Sequence, residues 1–379
     1  MRSKAALIWG VGADWSVEDI EIDDPKPGEV LVRMHYAGLC HSDEHVRTGD
    51  FSAPPEWGLH DPIPCIGGHE GAGVVEAVGD GVTSVRPGDH VAASFIPSCG
   101  VCPPCSTGHQ NLCDLGAELM AGTGMISDHT WRHHARGRDV NAMALLGTYS
   151  EWMVAHEHSL VKVEPHHPLE AVALVSCGVA TGWGSSVNQG EVRAGDTVVV
   201  VGVGGIGINA VQGARHAGAT TIIAVDPVAM KRETAQQLGA THSAASMEEC
   251  FPLLQDLSLG RMANTVVLSV GTVTGDLVAP AMSLVGKMGK LVVTGVAPMT
   301  QMDVQLNLLD LGMMEKQIRG TVFGSCNPRA DIPRLLRLYE QGVLELDALI
   351  TARYPLADIN AGYADMHAGK NVRGILELV

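Results

Sequence analysis

Basic residues are scarce in this chain of 379: 25 lysines and arginines stand against 42 acidic side chains, a formal charge of -17. So acidic a body repels phosphate backbones, which argues against nucleic-acid binding. Long apolar runs are missing as well, and none approaches the length that a bilayer-crossing helix needs. The opening MRSKAALIWGVGADWS turns acidic too soon, after too short an apolar stretch, for a secretory signal. A cytoplasmic protein with no membrane or nucleic-acid partner is therefore expected. No internal repeat, low-complexity tract or coiled-coil heptad occurs. What the chain does have is 46% apolar residues, 45 glycines and nine cysteines, enough for two packed domains. Reducing surroundings disfavour disulfides, so the odd, clustered cysteines point to metal.

Two textures divide the chain. Residues 1–178 alternate short β-like runs such as EVLVRM and GAGVVEAVG with turn signals such as KPGE and RPGD, which reads as a mostly β domain. Residues 179–322 carry the runs DTVVVVG, TIIAVD, TVVLSV and KLVVTG, the first of them separated by helical stretches. Buried strands alternating with helices imply a doubly wound parallel sheet. Residues 323–379, with an amphipathic helix near ADIPRLLRLYEQG and a strand-like GILELV, complete the first domain. The fold class is α/β.

VVVVGVGGIGINAVQGARHAG sets Gly202, Gly204 and Gly207 in a G-x-G-x-x-G pattern between a strand and a helix. Gly202 permits the tight turn, Gly204 lets a pyrophosphate approach, and Gly207 lets the helix pack closely. Asp226 follows 24 residues after Gly202, where a ribose-binding acid belongs. A carboxylate there favours NAD over NADP. Lys231 and Arg232 follow, near enough to reach the adenosine ribose.

SCGVCPPCSTGHQNLC supplies Cys99, Cys102, Cys105 and Cys113, spaced Cys-x2-Cys-x2-Cys-x7-Cys. Four thiolates from one loop match a closed, structural zinc site. An iron–sulfur cluster is the chemical rival, although bacterial ferredoxin spacing continues with x3 and proline. A second candidate set is scattered: Cys40 in GLCHSDEHVRTGD, His69 with Glu70 in CIGGHEGAG, and Cys177 in LVSCGVATGWG. Three ligands that leave a fourth position open make a catalytic zinc site.

With the glycine turn and the four-cysteine loop, these motifs resemble, in order and over essentially the whole length, the zinc-dependent medium-chain alcohol dehydrogenases. The resemblance implies a GroES-like catalytic domain and a Rossmann NAD-binding domain. It implies a catalytic zinc on Cys40, His69 and Cys177, a structural zinc on the four-cysteine loop, and NAD. Glu70 matches a carboxylate that approaches the metal during ligand exchange, and Asp43 the acid that orients His69. Ser42 and His45 match a proton relay from the bound alcohol. His41, Thr181, Gly205, Ile206 and Arg373 match cofactor contacts, His41 standing where relatives often have arginine. The implied reaction is reversible oxidation of a primary alcohol to an aldehyde by hydride transfer to NAD, with zinc as Lewis acid.

Departures from the family pattern bear on substrate and partners. The segment FSAPPEWGLHDP between Cys40 and His69 is longer than in well-known members and places Phe51 and Trp57 at the expected entrance. Phe95 matches a pocket-wall aromatic. Ser42 in place of threonine leaves room for a bulky or aromatic alcohol. Ala117 and Glu118 stand where relatives that oxidise formaldehyde as a thiol adduct have a basic residue, which counts against that activity. The segment SDHTWRHHARGRD, with His129, His133 and His134, reads as a solvated loop rather than a third metal site. It belongs to a long loop that implies a homo-oligomer, a dimer ahead of a tetramer. The sequence also resembles an actinobacterial branch in which NAD(H) stays bound and an external acceptor, such as a nitroso dye, reoxidises it. A non-catalytic NAD-binding scaffold is disfavoured because every zinc ligand is kept.

Overall fold

The structure, a computed structural model, describes residues 1–52, 54–57, 62–117, 119, 122 and 124–379. Glu118 and residues 58–61 of the entrance segment lie outside the described residues. The backbone divides into two compact units: residues 1–177, 327–342 and 346–379, and residues 178–326 and 343–345.

In the first unit, strands Arg2–Ile8, Ser16–Ile22, His133–Ala135, Arg138–Ala142 and Cys65–Ile66 close a small barrel. A larger sheet runs in the order Leu160–Val163, His90–Ala93, Gly71–Val78, Glu29–Gly38, Arg373–Glu377, Ile350–Pro355, with Trp152–His156 also paired to Glu29–Gly38. Glu29–Gly38 is its spine. Alternation along this strand sends Val30, Val32 and Met34 into one core while Leu31 joins another with Ala5, Ile20 and Val154. Being buried on both faces, it stiffly sets the residues that follow it.

The segment around His129–His134 is not a solvated loop. It carries two barrel strands, His133–Ala135 and Arg138–Ala142. His133 points inward, and burial lowers its pKa to about 4. His134 points outward, 2.8 Å from Asp139 and 3.2 Å from Asp23. Period-two alternation across only three residues is too short a pattern to read from sequence.

The second unit is a six-stranded parallel sheet ordered His242–Ala244, Thr221–Val225, Thr197–Val201, Ala263–Leu268, Val285–Val293, Gln317–Gly320. Its central strands are β-branched runs with no polar face, as a sheet covered on both sides requires. Val198, Val199 and Val200 are fully buried, each contributing roughly 1.5–3 kcal/mol of transfer free energy as an upper estimate. Residues 323–326 fall in this unit because Cys326 Sγ sits 3.3 Å from the Ala180 carbonyl. Residues 343–345 do so because Gln212 and Glu345 exchange two hydrogen bonds, of 3.0 and 2.8 Å. Among the described residues no helix is long and apolar enough to cross a membrane.

Candidate active site and metal centres

Cys40, His69 and Cys177 come together, all buried, with their ligand atoms within 4.8 Å of one another. Each arrives on a different device. Cys40 is the extended residue (φ -130°) between the strand Glu29–Gly38 and the helix His41–Thr48. His69 follows Gly67 and Gly68 at the end of the barrel strand Cys65–Ile66. Cys177 sits in a π-turn, Val175–Val179, that interrupts the helix begun at Leu169. Such turns re-aim a side chain. Ser176 anchors this one, accepting from the Gly71 amide at 3.1 Å and donating to the Ala173 carbonyl at 2.6 Å.

The cluster is charged in a way that suits a cation. A hydrogen bond with Cys177 holds the Cys40 thiol well below its ordinary pKa despite burial, with help from His69 and Arg373. The same bond, and burial, push Cys177 up. Burial alone would lower the His69 pKa, but the Asp43 carboxylate and the Cys40 sulfur raise it well above its usual value. A divalent ion would replace the proton that this pair otherwise holds.

Asp43 is fully buried. One of its oxygens accepts from the Gly68 amide at 2.7 Å; the other lies 3.0 Å from His69 Nδ1 and 3.0 Å from the Tyr149 hydroxyl. Glu70 is paired with the buried guanidinium of Arg373. Burial would lower the Arg373 pKa, but Glu70 and the two sulfurs raise it further. A Cβ on Gly38 would lie 2.5 Å from Glu70 Oε1 and 2.7 Å from Arg373 Nη2, so only glycine admits this pair. Arg373 Nε has no partner among the described residues.

Ser42 Oγ lies 3.8 Å from Cys40 Sγ. His45 is one helical turn on and buried, with Nδ1 2.6 Å from Asp50, which reaches solvent. Phe51 packs edge-on to His45 at 5.7 Å, and Phe95 edge-on to His69 at 5.5 Å. Trp57 is exposed, on the turn Pro55–Trp57. His41 is half-buried, its ring 6.1 Å from that of His367.

Cys99, Cys102, Cys105 and Cys113 also lie with their sulfurs within 4.8 Å of one another, none of them disulfide-bonded. Backbone amides converge on them: those of Val101 and Cys102 on Cys99 Sγ at 3.5 and 3.4 Å, and that of Asp114 on Cys102 Sγ at 3.4 Å. Amides aimed at sulfur favour thiolates, as a closed tetrathiolate metal site needs.

In the second unit the glycine turn joins Thr197–Val201 to the helix Gly207–His216. Gly202 has φ 83°, open space surrounds Gly204, and a Cβ on Gly207 would overlap the Gly202 carbonyl. Gly205 and Ile206 complete the turn, and Gly182 packs against the Ile206 carbonyl so closely that a Cβ has no room. That contact seats the buried Thr181 beside the turn. Asp226 ends the next strand and accepts from the amides of Val203 at 3.1 Å and Val228 at 2.9 Å. Lys231 is half-buried on the following helix, while Arg232 bonds the Asp226 carbonyl at 2.6 Å.

Residues 26–165 match the alcohol dehydrogenase GroES-like domain and residues 205–341 the zinc-binding dehydrogenase domain. The chain belongs to the zinc-binding alcohol dehydrogenase family. It is 50% identical to an NDMA-dependent alcohol dehydrogenase of Amycolatopsis methanolica, covering 99% of both chains. It is 46% identical to alcohol dehydrogenase B of Mycobacterium tuberculosis H37Rv, over 99% of this chain and 98% of that one. The solved benzyl alcohol dehydrogenase of Acinetobacter calcoaceticus is 30% identical, with a TM-score of 0.90 and both chains fully covered. Within this dehydrogenase family, sequence reasoning missed Asp50, Tyr149, Ser176 and Tyr363. Asp50 had a local signal, five residues beyond a candidate relay histidine; Ser176 adjoins Cys177 but its partner Gly71 is far along the chain, and Tyr149 and Tyr363 lie far in sequence from the residues they touch. A third cluster, His166, His167 and Glu340, is mostly exposed, and the 3.5 Å contact of His166 with Glu340 is an ordinary surface ion pair.

Proposed function

We propose that this chain oxidises primary alcohols, aromatic ones included, to aldehydes, and runs the reverse reduction, by hydride transfer to NAD. The observation that carries this reading is the buried set of two thiols and one imidazole, braced by Asp43 on one side and by the Glu70–Arg373 pair on another. Cys40, His69 and Cys177 would hold a catalytic zinc, and Cys99, Cys102, Cys105 and Cys113 a structural one. Bound zinc supplies Lewis acidity, bringing the alcohol hydroxyl's pKa toward neutrality.

The chain's own residues do the rest. Asp43 holds the His69 ring by its Nδ1, leaving Nε2 for the metal. Ser42 takes the alcohol proton and passes it to His45, a neighbour on the same helix face. Because His45 is buried, the proton leaves through Nδ1 to Asp50 and then to water. Phe95, packed on the His69 ring, forms an apolar wall for the substrate, and Phe51 and Trp57 shape its entrance. The glycine turn and Asp226 hold the pyrophosphate and adenosine ribose of NAD, with Thr181, Ile206, Lys231 and His41 as further contacts. Arg373 Nε, without a partner among the described residues, supports a phosphate contact for that side chain.

The 50%-identical NDMA-dependent relative favours a second reading, in which NAD(H) stays bound and an external acceptor recycles it. Reduction of added NAD by benzyl alcohol and straight-chain alcohols tests both. Steady NADH release establishes an exchanging cofactor; turnover only with a nitroso acceptor establishes a bound one. No oxidation of any alcohol under either regime overturns the proposal.

We also propose a homo-oligomer, a dimer ahead of a tetramer. Gln317–Gly320 is an edge strand, and Met302, Leu308, Leu309, Met313 and Ile318 near it in sequence are exposed. So many exposed apolar side chains beside an open edge support docking of a second copy. That none of the nine cysteines is disulfide-bonded supports our proposal of a cytoplasmic location.

A further inference from the structure

Behind the Cys40–His69–Cys177 cluster lies a pair of phenols that the proposed chemistry does not use. Tyr149 and Tyr363, 214 residues apart in sequence, place their hydroxyls 2.8 Å apart in full burial. The Tyr149 hydroxyl is also 3.0 Å from Asp43 Oδ2, and the Tyr363 hydroxyl 3.4 Å from the Cys40 carbonyl. A phenol has one proton to give. Two acceptors lie 3.0 Å from the Tyr149 hydroxyl, the Asp43 carboxylate and the Gly38 carbonyl; the charged one makes the stronger bond, so Tyr149 donates to Asp43 and accepts from Tyr363. Burial, and after it the Asp43 charge, keep both phenols protonated.

The backbone ahead of His69 is shaped on the same residues. The Tyr149 amide donates to the Gly67 carbonyl at 2.9 Å and the Thr148 amide to the Gly68 carbonyl at 3.0 Å. The Trp15 ring stacks on Tyr363 (5.5 Å, 22°) and meets Tyr149 edge-on (5.5 Å, 76°). A Cβ on Gly67 would run into Trp15 and Tyr149, and one on Gly68 into Thr148 and Tyr149. The two glycines of CIGGHE are there so that this aromatic group can press on the chain that carries His69.

We propose that Tyr149 and Tyr363 are positioning residues for the metal: the phenol pair orients the His69 imidazole through Asp43. The inference rests on the reading of this cluster as a metal site.

Its test counts zinc per chain and follows zinc release to a chromogenic chelator in wild type, Tyr149→Phe, Tyr363→Phe and the double variant. Cobalt-substituted samples add an absorption spectrum that reports ligand geometry. Tyr149→Phe is expected to speed the loss of one zinc by about tenfold and to shift the cobalt band; partners of metal-bound histidines are worth about 10–100-fold in affinity. The zinc of the four-cysteine loop leaves at the wild-type rate, an internal check on folding. Tyr363→Phe moves the same zinc in the same direction by less, and the double variant is no worse than Tyr149→Phe, because the chain of hydrogen bonds passes through Tyr149. Wild-type release rates and an unchanged cobalt spectrum in both single variants overturn the proposal. If Tyr149→Phe does not fold, Tyr363→Phe decides alone. A wild-type chain holding zinc only in the four-cysteine loop overturns the metal-site reading itself, and this inference with it.

Discussion

Glu70 and Arg373, 303 residues apart in sequence, form a buried ion pair beside Cys40, His69 and Cys177. Neither has solvent to fall back on. Removing Glu70 leaves the Arg373 guanidinium buried without its carboxylate, the expensive case for an ion pair. Glu70→Ala is therefore expected to destabilise the protein by about 3–5 kcal/mol, read from denaturant unfolding. Gly38→Ala, which pushes a methyl group into the same pair, should lower stability in the same direction. Wild-type unfolding curves for both would remove the pair from any account of this site.

Asp50 receives Nδ1 of a buried histidine. If His45 exports its proton by this route, Asp50→Asn should lower kcat by tenfold or more while KM changes little, general acid–base steps being worth about 10²–10⁴-fold. The same loss in KM alone, at constant kcat, would place Asp50 in substrate binding instead.

His133 makes stability depend on pH. Burial takes its pKa from 6.5 to about 4, so between those values the unfolded chain binds a proton that the folded chain refuses. The contribution is present in full above pH 6.5 and is lost as pH falls toward 4. It amounts to about 3 kcal/mol at most. His133→Gln should flatten the dependence of Tm on pH across that window, and calorimetry on the two proteins would show whether it does.

Stripping metal from the four-cysteine loop should leave its thiols unequal. Burial opposes ionisation of Cys99, but the amides of Val101 and Cys102 bring its pKa down to about 7. Burial pushes Cys113 up to about 12. Iodoacetamide near neutral pH after chelation is expected to label Cys99 first among the four, because thiolate is the reacting form. Peptide mass spectrometry reads the order; Cys113 ahead of Cys99 would contradict it.

Leu308→Asp with Leu309→Asp tests the exposed apolar surface near the edge strand Gln317–Gly320. Sedimentation should show wild type larger than one chain and the variant reduced toward it. A wild-type monomer would end the docking proposal.

Much of this protein was legible in one dimension. The parallel sheet showed in runs such as TVVVV because a strand buried on both faces has no polar alternation to hide behind. The glycine turn and the four-cysteine loop could be read because their working residues are neighbours in sequence. The barrel strands around His133 could not, being too short for periodicity. Nor could the π-turn at Cys177, whose neighbour Ser176 is tied to the Gly71 amide 105 residues away.

The sequence by itself determined the chemistry available: which side chains can ligate, which turn can take a pyrophosphate, which strands must be buried. Tertiary structure decided how those side chains are held. Asp43, Tyr149 and Tyr363 brace His69, and Gly38 admits Glu70 to Arg373, through contacts between residues far apart along the chain. Such contacts leave no spacing to read, because a folded core is selected for its fit in three dimensions, where distance along the backbone does not count.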